Sequence, residues 1–195
     1  MCGRYYIEDN DSIEELRAIQ EVQRKQLERN QGEMVKTGEI FPSDVVPVIA
    51  NNRQLVPTPF AMKWGYSLPD GKLIINARSE TAAEKPMFHD GMFNRRCLIP
   101  ATNYFEWEKR GKEKVKYAIR PSGRLMLYMA GVYRIENGKA VFSILTREPV
   151  EQISFIHDRM PVILPSTVKD AWLDLQRPAS EVLHYASLEM DYRTA

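Results

Sequence analysis

The chain has 195 residues, of which 44% are hydrophobic and 27% charged, a composition typical of globular proteins. Its formal net charge of +1 excludes a global basic field that would by itself indicate nucleic acid. No apolar run is long enough for a membrane-spanning helix, and the acidic start does not resemble a secretory signal. We therefore expect one cytoplasmic domain over residues 1–195, with no membrane contact and with its two cysteines as free thiols.

Charge is distributed unevenly along the chain. Residues 8–44 contain five basic and ten acidic residues, whereas residues 72–124 contain twelve basic and six acidic ones. The basic middle segment is compatible with a local face that binds phosphate groups. It is equally compatible with an uneven solvated surface, so charge alone does not decide between the two.

The secondary structure signals change near residue 40. Before it, Ser12 and Glu15 have the spacing of a capping box, and apolar residues at helical spacing predict a helix that ends at Gly32. After it, ten prolines between residues 40 and 164 exclude long helices, and short β-branched and aromatic runs predict strands. The predicted strands are 45–50, 60–64, 73–76, 97–100, 104–108, 114–120, 125–133, 140–146 and 161–164.

Turns and terminal helices complete the predicted fold. The tract 69–71, Pro-Asp-Gly, predicts a turn, and the tract 136–138, Glu-Asn-Gly, predicts a hairpin between the strands on either side. Two short helices are predicted at 168–175 and 179–188. Together these elements predict an α+β fold with a mostly antiparallel sheet or open barrel as its core.

Cys2 is the first candidate for chemistry. Removal of Met1 would leave Cys2 with an α-amine and a thiol on adjacent carbons. Their reference pKa values, about 7.7–8.0 and about 8.5, leave a useful fraction of both groups nucleophilic near neutral pH. The amine can condense with an aldehyde, and the thiol can then close a five-membered thiazolidine ring. The alternative is an arbitrary buried or frayed thiol; Cys97, in an apolar run, is predicted to be a core residue.

A polar tract follows the predicted strand that ends at Asn76. In an extended segment Asn76, Arg78 and Glu80 share one face. An amide offers donors and an acceptor, and a guanidinium suits a phosphate group. The alternative is a polar strand end with a surface ion pair.

Glu106 and His157 are candidates for proton transfer. In a strand, Glu106 points away from Phe105 and Trp107, and its aromatic and apolar surroundings would raise its pKa through desolvation. Histidine is the side-chain type that titrates near neutral pH, and His157 precedes Asp158. The alternatives are a solvent-facing Glu106 and a hydrogen-bonded loop histidine. The spacing of histidines and cysteines predicts no metal site, and no nucleotide-cofactor motif is present, so we expect no cofactor.

The chain resembles the SRAP family, the SOS-response-associated peptidases, in eight tracts from Cys2 to about Trp172. They are MCGR at 1–4, VVPVI at 45–49, KWGYSLP at 63–69, NARSET at 76–81, RRCLIP at 95–100, YFEWEK at 104–109, ILTREP at 144–149 and IHDRMPVIL at 156–164. Each tract alone is a weak signal, whereas their combination is specific. One departure is TNYFEW, which lacks the glycine of the DGFYEW-like tract often found in the family but keeps the Glu-Trp pair.

The resemblance implies an SRAP fold and a covalent mode of action on damaged DNA. SRAP proteins recognise abasic sites in single-stranded DNA and link to the opened sugar through a thiazolidine. The family's catalytic residues correspond to Cys2, Asn76, Glu106 and His157. The family name implies release of Met1, by the protein itself or by methionine aminopeptidase, and the Schiff-base stage implies weak strand-cleaving lyase activity.

The resemblance also implies which residues contact DNA. Arg78 is expected to hold a phosphate beside the lesion, and Arg4 is expected to act similarly. Trp64 and Trp107 are candidates for shaping the lesion pocket or stacking on bases, with core packing as the alternative for each. We expect a monomer that is associated with the nucleoid when bound to damaged DNA.

The residues by themselves leave two other functions open. An N-terminal cysteine can serve as the nucleophile of an amidohydrolase, with its own amine as the base. Alternatively, the basic middle segment alone would give a non-catalytic single-strand binder whose binding weakens with salt.

Overall fold

The computed structural model describes residues 2–8, 24, 35–186 and 189–195. Apart from Arg24, which is helical, the helix predicted before Gly32 lies outside the described residues. The described strands are β1 (Arg4–Ile7), β2 (Gly38–Ile40), β3 (Val45–Asn51), β4 (Pro57–Trp64), β5 (Tyr66–Ser67), β6 (Leu73–Ile74), β7 (Asn76–Arg78), β8 (Arg96–Ala101), β9 (Asn103–Arg110), β10 (Glu113–Pro121), β11 (Leu127–Glu136), β12 (Lys139–Arg147), β13 (Met160–Pro161), β14 (Ile163–Leu164) and β15 (Met190–Thr194). The described helices are α1 (Pro86–Asn94), α2 (Lys169–Leu173) and α3 (Ala179–His184), with a 3₁₀ turn at Glu151–Ile153.

Two large sheets organise these strands. One has the order β15-β10-β9-β1-β2, and every neighbouring pair in it is antiparallel. The other has the order β13-β12-β4-β3-β8-β11-β14, and β7 joins it by pairing with β12. The pairings of β12 with β4 and with β7 are parallel. The α+β class with a mostly antiparallel sheet is therefore confirmed.

Both predicted turns are present. Glu136 pairs with Lys139 across the β11–β12 hairpin, so the loop consists of Asn137 and Gly138. Their φ angles are 49° and 78°, the left-handed values that a two-residue hairpin needs and that Asn-Gly supplies readily. The turn at residues 69–71 joins β5 to β6, which pair antiparallel with each other.

Two predicted strands are wrong as single elements. The stretch 73–76 divides into β6, which pairs with β5, and the start of β7, which pairs with β12. Between them, the carbonyl of Ile75 accepts hydrogen bonds from the Trp64 indole and the Ile144 amide. The stretch 161–164 divides likewise, because β13 pairs with β12 whereas β14 pairs with β11.

Helix α1 and four short strands were not predicted. Pro86 begins α1 at its first turn, where the missing amide hydrogen has no helical partner to lose. Strands β1, β2, β5 and β15 have two to five residues, too few for a clear alternation of polar and apolar side chains. The two predicted C-terminal helices are present but shorter, and residues 187–188 lie outside the described part. No helix among the described residues has the length and apolar character needed to span a membrane.

Trp64 is a central core residue between the two sheets. Its side chain is fully buried, with a centroid distance of 5.1 Å to Tyr5 and 6.4 Å to Phe142. Its Nε1 donates to the Ile75 carbonyl at 3.0 Å, immediately before Asn76. Trp64 therefore supports the backbone from which β7 begins.

The Trp64→Ala variant is expected to lose about 3–5 kcal/mol of unfolding free energy, because it leaves a large cavity and removes one of the two hydrogen bonds to the Ile75 carbonyl. Trp107→Ala is the matched control, since Trp107 is only partly buried and should lose less. Urea denaturation of both variants measures the difference. Equal losses would contradict the core role of Trp64.

Candidate functional site

The site is built around Cys2, which precedes β1 in the interior of the five-stranded sheet. Strand β1 pairs with β9 so that Arg4 faces Phe105, which places the start of the chain beside Glu106. The Cys2 side chain is fully buried, and neither cysteine forms a disulfide. Cys97 is also a core residue, as predicted.

Asn76 reaches Cys2 from the other large sheet. Its Nδ2 donates to the backbone carbonyl of Cys2 at 2.9 Å, across 74 positions in sequence. The pairing of β7 with β12, which sets Asn76 opposite Ile144, holds it there. Its Oδ1 is buried and has no hydrogen-bond partner among the described residues, so it remains available as an acceptor at Cys2.

Glu106 is buried beside this position, with 3% of its surface exposed. Burial raises the pKa of its carboxyl above the ordinary value, while the positive charges of the amino terminus and His157 oppose that rise. The predicted upward shift of the Glu106 pKa is therefore confirmed. A carboxyl group with this shift keeps its proton to higher pH and is suited to general acid and base work.

The Cys2 thiol differs from the expectation of an ordinary pKa. Burial, and then the charge of Glu106, raise its pKa well above the usual range of a cysteine. The expectation of an ordinary thiol pKa was wrong because the reference value applies to a solvated thiol, whereas a low-dielectric environment disfavours the thiolate. The thiol therefore needs a nearby proton acceptor to become a nucleophile.

His157 follows the 3₁₀ turn, and its charge is felt at Glu106. Its Nδ1 lies 3.0 Å from the Arg159 amide nitrogen and 2.7 Å from Asp158 Oδ1. Both contacts are made by Nδ1, and together they fix the orientation of the ring.

The pair formed by Arg159 and Glu80 was missed by the sequence analysis. Arg159 Nη1 and Nη2 donate to the two Glu80 oxygens, each at 2.8 Å, and Nη2 also donates to the Thr146 carbonyl at 2.6 Å. Arg159 therefore fastens the segment that carries His157 to the end of β7. Glu80 lies in the turn after β7, so the predicted face shared with Asn76 and Arg78 does not extend to it. A separation of 79 residues leaves no local signal for this pair.

Two buried tyrosines that the charge of Cys2 influences were also missed. Tyr5 and Tyr104 are directly paired across β1 and β9, and both rings are fully buried. Burial raises the pKa of each hydroxyl, and the charge of Cys2 acts on both in the same direction. Neither hydroxyl has a hydrogen-bond partner within the described ranges. The alternation of side chains along a strand could have indicated them, because it assigns both tyrosines to the inward face of the sheet.

The predicted DNA-contact residues divide into exposed and buried groups. Arg78 is exposed at the end of β7, and the Arg4 guanidinium lies 5.1 Å from the centroid of the partly exposed Trp107 ring. Trp64 lies in the core, as the alternative interpretation anticipated, and offers no face to a base. The structure thus brings Cys2 together with Asn76 and Glu106, and leaves the cations at the rim.

Comparisons with known proteins give matches along the chain. A family sequence model described as SOS response associated peptidase (SRAP) matches residues 1–193. The abasic site processing protein YobE of Bacillus subtilis (strain 168) is 32% identical over 208 residues, which cover 98% of this chain and 90% of YobE. The abasic site processing protein YedK of Escherichia coli (strain K12) is 32% identical over 128 residues, which cover 61% of this chain and 58% of YedK.

Solved structures agree on the fold. A crystal structure of a protein from Bacteroides thetaiotaomicron superimposes with a TM-score of 0.78 at 23% identity, covering 99% of this chain and 91% of that one. The family model, by contrast, matches nearly the whole length of the sequence. The chain belongs to the SRAP family.

Proposed function

We propose that this chain processes abasic sites in single-stranded DNA and, once Met1 is removed, links covalently to them through Cys2. The names of its relatives support the substrate class. The observation that carries the proposal is the 2.9 Å hydrogen bond from Asn76 to the Cys2 carbonyl, in a buried site that also contains Glu106. A buried N-terminal nucleophile beside a proton donor suits an aldehyde substrate.

The first step joins the Cys2 α-amine to the aldehyde of the ring-opened sugar. The nitrogen lone pair forms a C–N bond and gives a carbinolamine, which loses its hydroxyl as water to form a protonated imine. Glu106 supplies the proton for that departure, because burial raises its pKa and keeps it protonated to higher pH. Asn76 Oδ1 accepts a hydrogen bond from the amine and orients it.

The second step closes the ring. The Cys2 sulfur adds to the carbon of the protonated imine, the C–S bond forms, and the electrons of the C=N bond move to nitrogen, which already carries its one proton. Because burial raises the thiol pKa, the thiol proton must be accepted as sulfur attacks. The ionised Glu106 left by the first step accepts the thiol proton and thereby returns to its protonated state. The net reaction releases one water.

The surrounding residues act on the sugar and its phosphates. His157 donates a hydrogen bond or a proton to the sugar oxygen and so favours ring opening. Arg78 and Arg4 bind phosphates, and Trp107 offers its ring to a flanking base. Trp64 has no DNA contact in this proposal and supports the site from the core. The imine also permits β-elimination, which would give weak lyase activity.

Intact mass spectrometry of the purified chain, with and without abasic single-stranded DNA, tests the proposal. We expect a protein lighter by one methionine, and an adduct equal to protein plus DNA minus one water that forms without a reducing agent. An undamaged oligonucleotide of the same sequence is the control and should give no adduct. A chain without Met1 that forms no adduct, or forms one only after borohydride treatment, would contradict the thiazolidine.

A further inference from the structure

Glu39 on β2 contacts two cations, Lys116 and Arg4. The steps of the proposed reaction do not use these contacts. Glu39 Oε1 accepts a hydrogen bond from Lys116 Nζ at 2.9 Å and lies 3.4 Å from Arg4 Nη1. The hydrogen bond from Lys116 is the main cause that lowers the pKa of the Glu39 carboxyl. One carboxylate oxygen thus occupies the position between an ammonium and a guanidinium, the geometry in which a phosphate oxygen is held.

Aromatic rings hold both cations independently of Glu39. The Arg4 guanidinium lies 4.5 Å from the Phe41 centroid and 5.1 Å from that of Trp107. Lys116 Nζ lies 3.8 Å from the Phe105 centroid. Because these cation–π contacts remain when the carboxylate leaves, the two charges would stay in place for another anion.

This cluster lies beside the candidate site. Arg4 pairs with Phe105 and Lys116 pairs with Trp107, and residues 105 and 107 share one face of β9. Arg4 follows Cys2 by two residues, so their Cα atoms are at most about 7 Å apart. A strand whose sugar reaches Cys2 therefore has a neighbouring phosphate within reach of the two cations.

We propose that Arg4 and Lys116 form a phosphodiester subsite, and that Glu39 occupies it as a built-in competitor until single-stranded DNA displaces it. This inference rests on the proposed function and adds Lys116 and Glu39 to it. Exposed ion pairs are weak and easily exchanged, and a third of the Glu39 side chain is exposed. The competitor lowers affinity for every strand, whereas only an abasic strand recovers the loss by forming a covalent bond. Glu39 thereby favours damaged over undamaged DNA.

The test measures binding of an undamaged, fluorescein-labelled single-stranded oligonucleotide by anisotropy across a salt series. Glu39→Gln is expected to bind about 3- to 10-fold more tightly at low salt, since two weak ion pairs no longer compete. Its log–log salt slope should steepen by about 0.7, because one more phosphate contact releases counterions. Lys116→Gln should bind more weakly than the wild type. In the Lys116→Gln background, Glu39→Gln should tighten binding by a smaller factor than it does in the wild type.

Glu113→Gln is the matched control, because it changes net charge equally at an exposed position on β10 away from the subsite. If Glu39→Gln binds no more tightly than Glu113→Gln, the role of Glu39 as a competitor is disproved, whether or not the wild type cross-links. A failure of the wild type to cross-link abasic DNA would instead contradict the proposed function. Urea unfolding of each variant confirms that the compared proteins are folded.

Discussion

No denaturation-resistant adduct is expected when the Cys2→Ala variant is incubated with single-stranded DNA that contains one abasic site. The variant keeps an α-amine and can form an imine, but it lacks the sulfur that closes the ring. An imine hydrolyses on denaturation, so the shifted band should disappear completely on a denaturing gel. Cys97→Ala is the control, since Cys97 is a buried core residue and the folded variant should cross-link as the wild type does.

Borohydride separates the roles of the amine and the sulfur. Reduction should convert the imine of Cys2→Ala into a stable amine, and the adduct should return under those conditions only. If Cys2→Ala gives a stable adduct without reduction, or if Cys97→Ala loses it while folded, the ring-closure mechanism is wrong.

The Glu106→Gln variant is expected to cross-link abasic DNA more slowly than the wild type and to have a larger free energy of unfolding at neutral pH. The amide keeps the shape of the side chain but transfers no proton, and general acid–base groups typically contribute about 100- to 10,000-fold in rate. Single-turnover cross-linking on denaturing gels measures this loss. A rate within about threefold of the wild type would remove Glu106 from the mechanism.

The effect on stability follows from the raised pKa of Glu106. Its folded-state pKa lies above the unfolded value because burial penalises the charged form, so stability from this group is present at low pH. That stability is lost as pH rises through the folded pKa. The Glu106→Gln variant has no carboxyl group to ionise and so does not lose this stability. Its free energy of unfolding, measured in urea, should therefore exceed that of the wild type by an amount that grows as pH increases from acid to neutral.

Glu108 supplies the matched control on the same strand. Its pKa is lowered, mainly by the hydrogen bond from Arg110, so its contribution is present at neutral pH and lost as pH falls through the folded pKa. Glu108→Gln should therefore show a small change of the opposite sign. Parallel pH profiles for the two variants would contradict the assignment of Glu106 as the carboxyl that burial controls.

Local chemistry made much of this protein predictable from its sequence. The Asn137-Gly138 hairpin followed from the residues' tolerance of positive φ, and most long strands followed from β-branched and aromatic runs. The candidate residues were chosen by side-chain chemistry alone: an aminothiol at Cys2, an amide at Asn76 and a desolvated carboxyl at Glu106. Each of these signals lies within a few residues of sequence.

What the sequence could not determine depends on contacts between distant segments. Asn76 meets Cys2 across 74 positions, and Arg159 meets Glu80 across 79, because strand pairing brings them together. Strands as short as β1 and β2 gain their stability from partners and not from their own residues. Burial is itself a tertiary property, and it raises the pKa of the Cys2 thiol. Only the tertiary structure shows that Trp64 lies in the core whereas Trp107 is partly exposed. The sequence identifies the reactive groups, whereas their surroundings in the folded protein determine their protonation and their exposure to solvent.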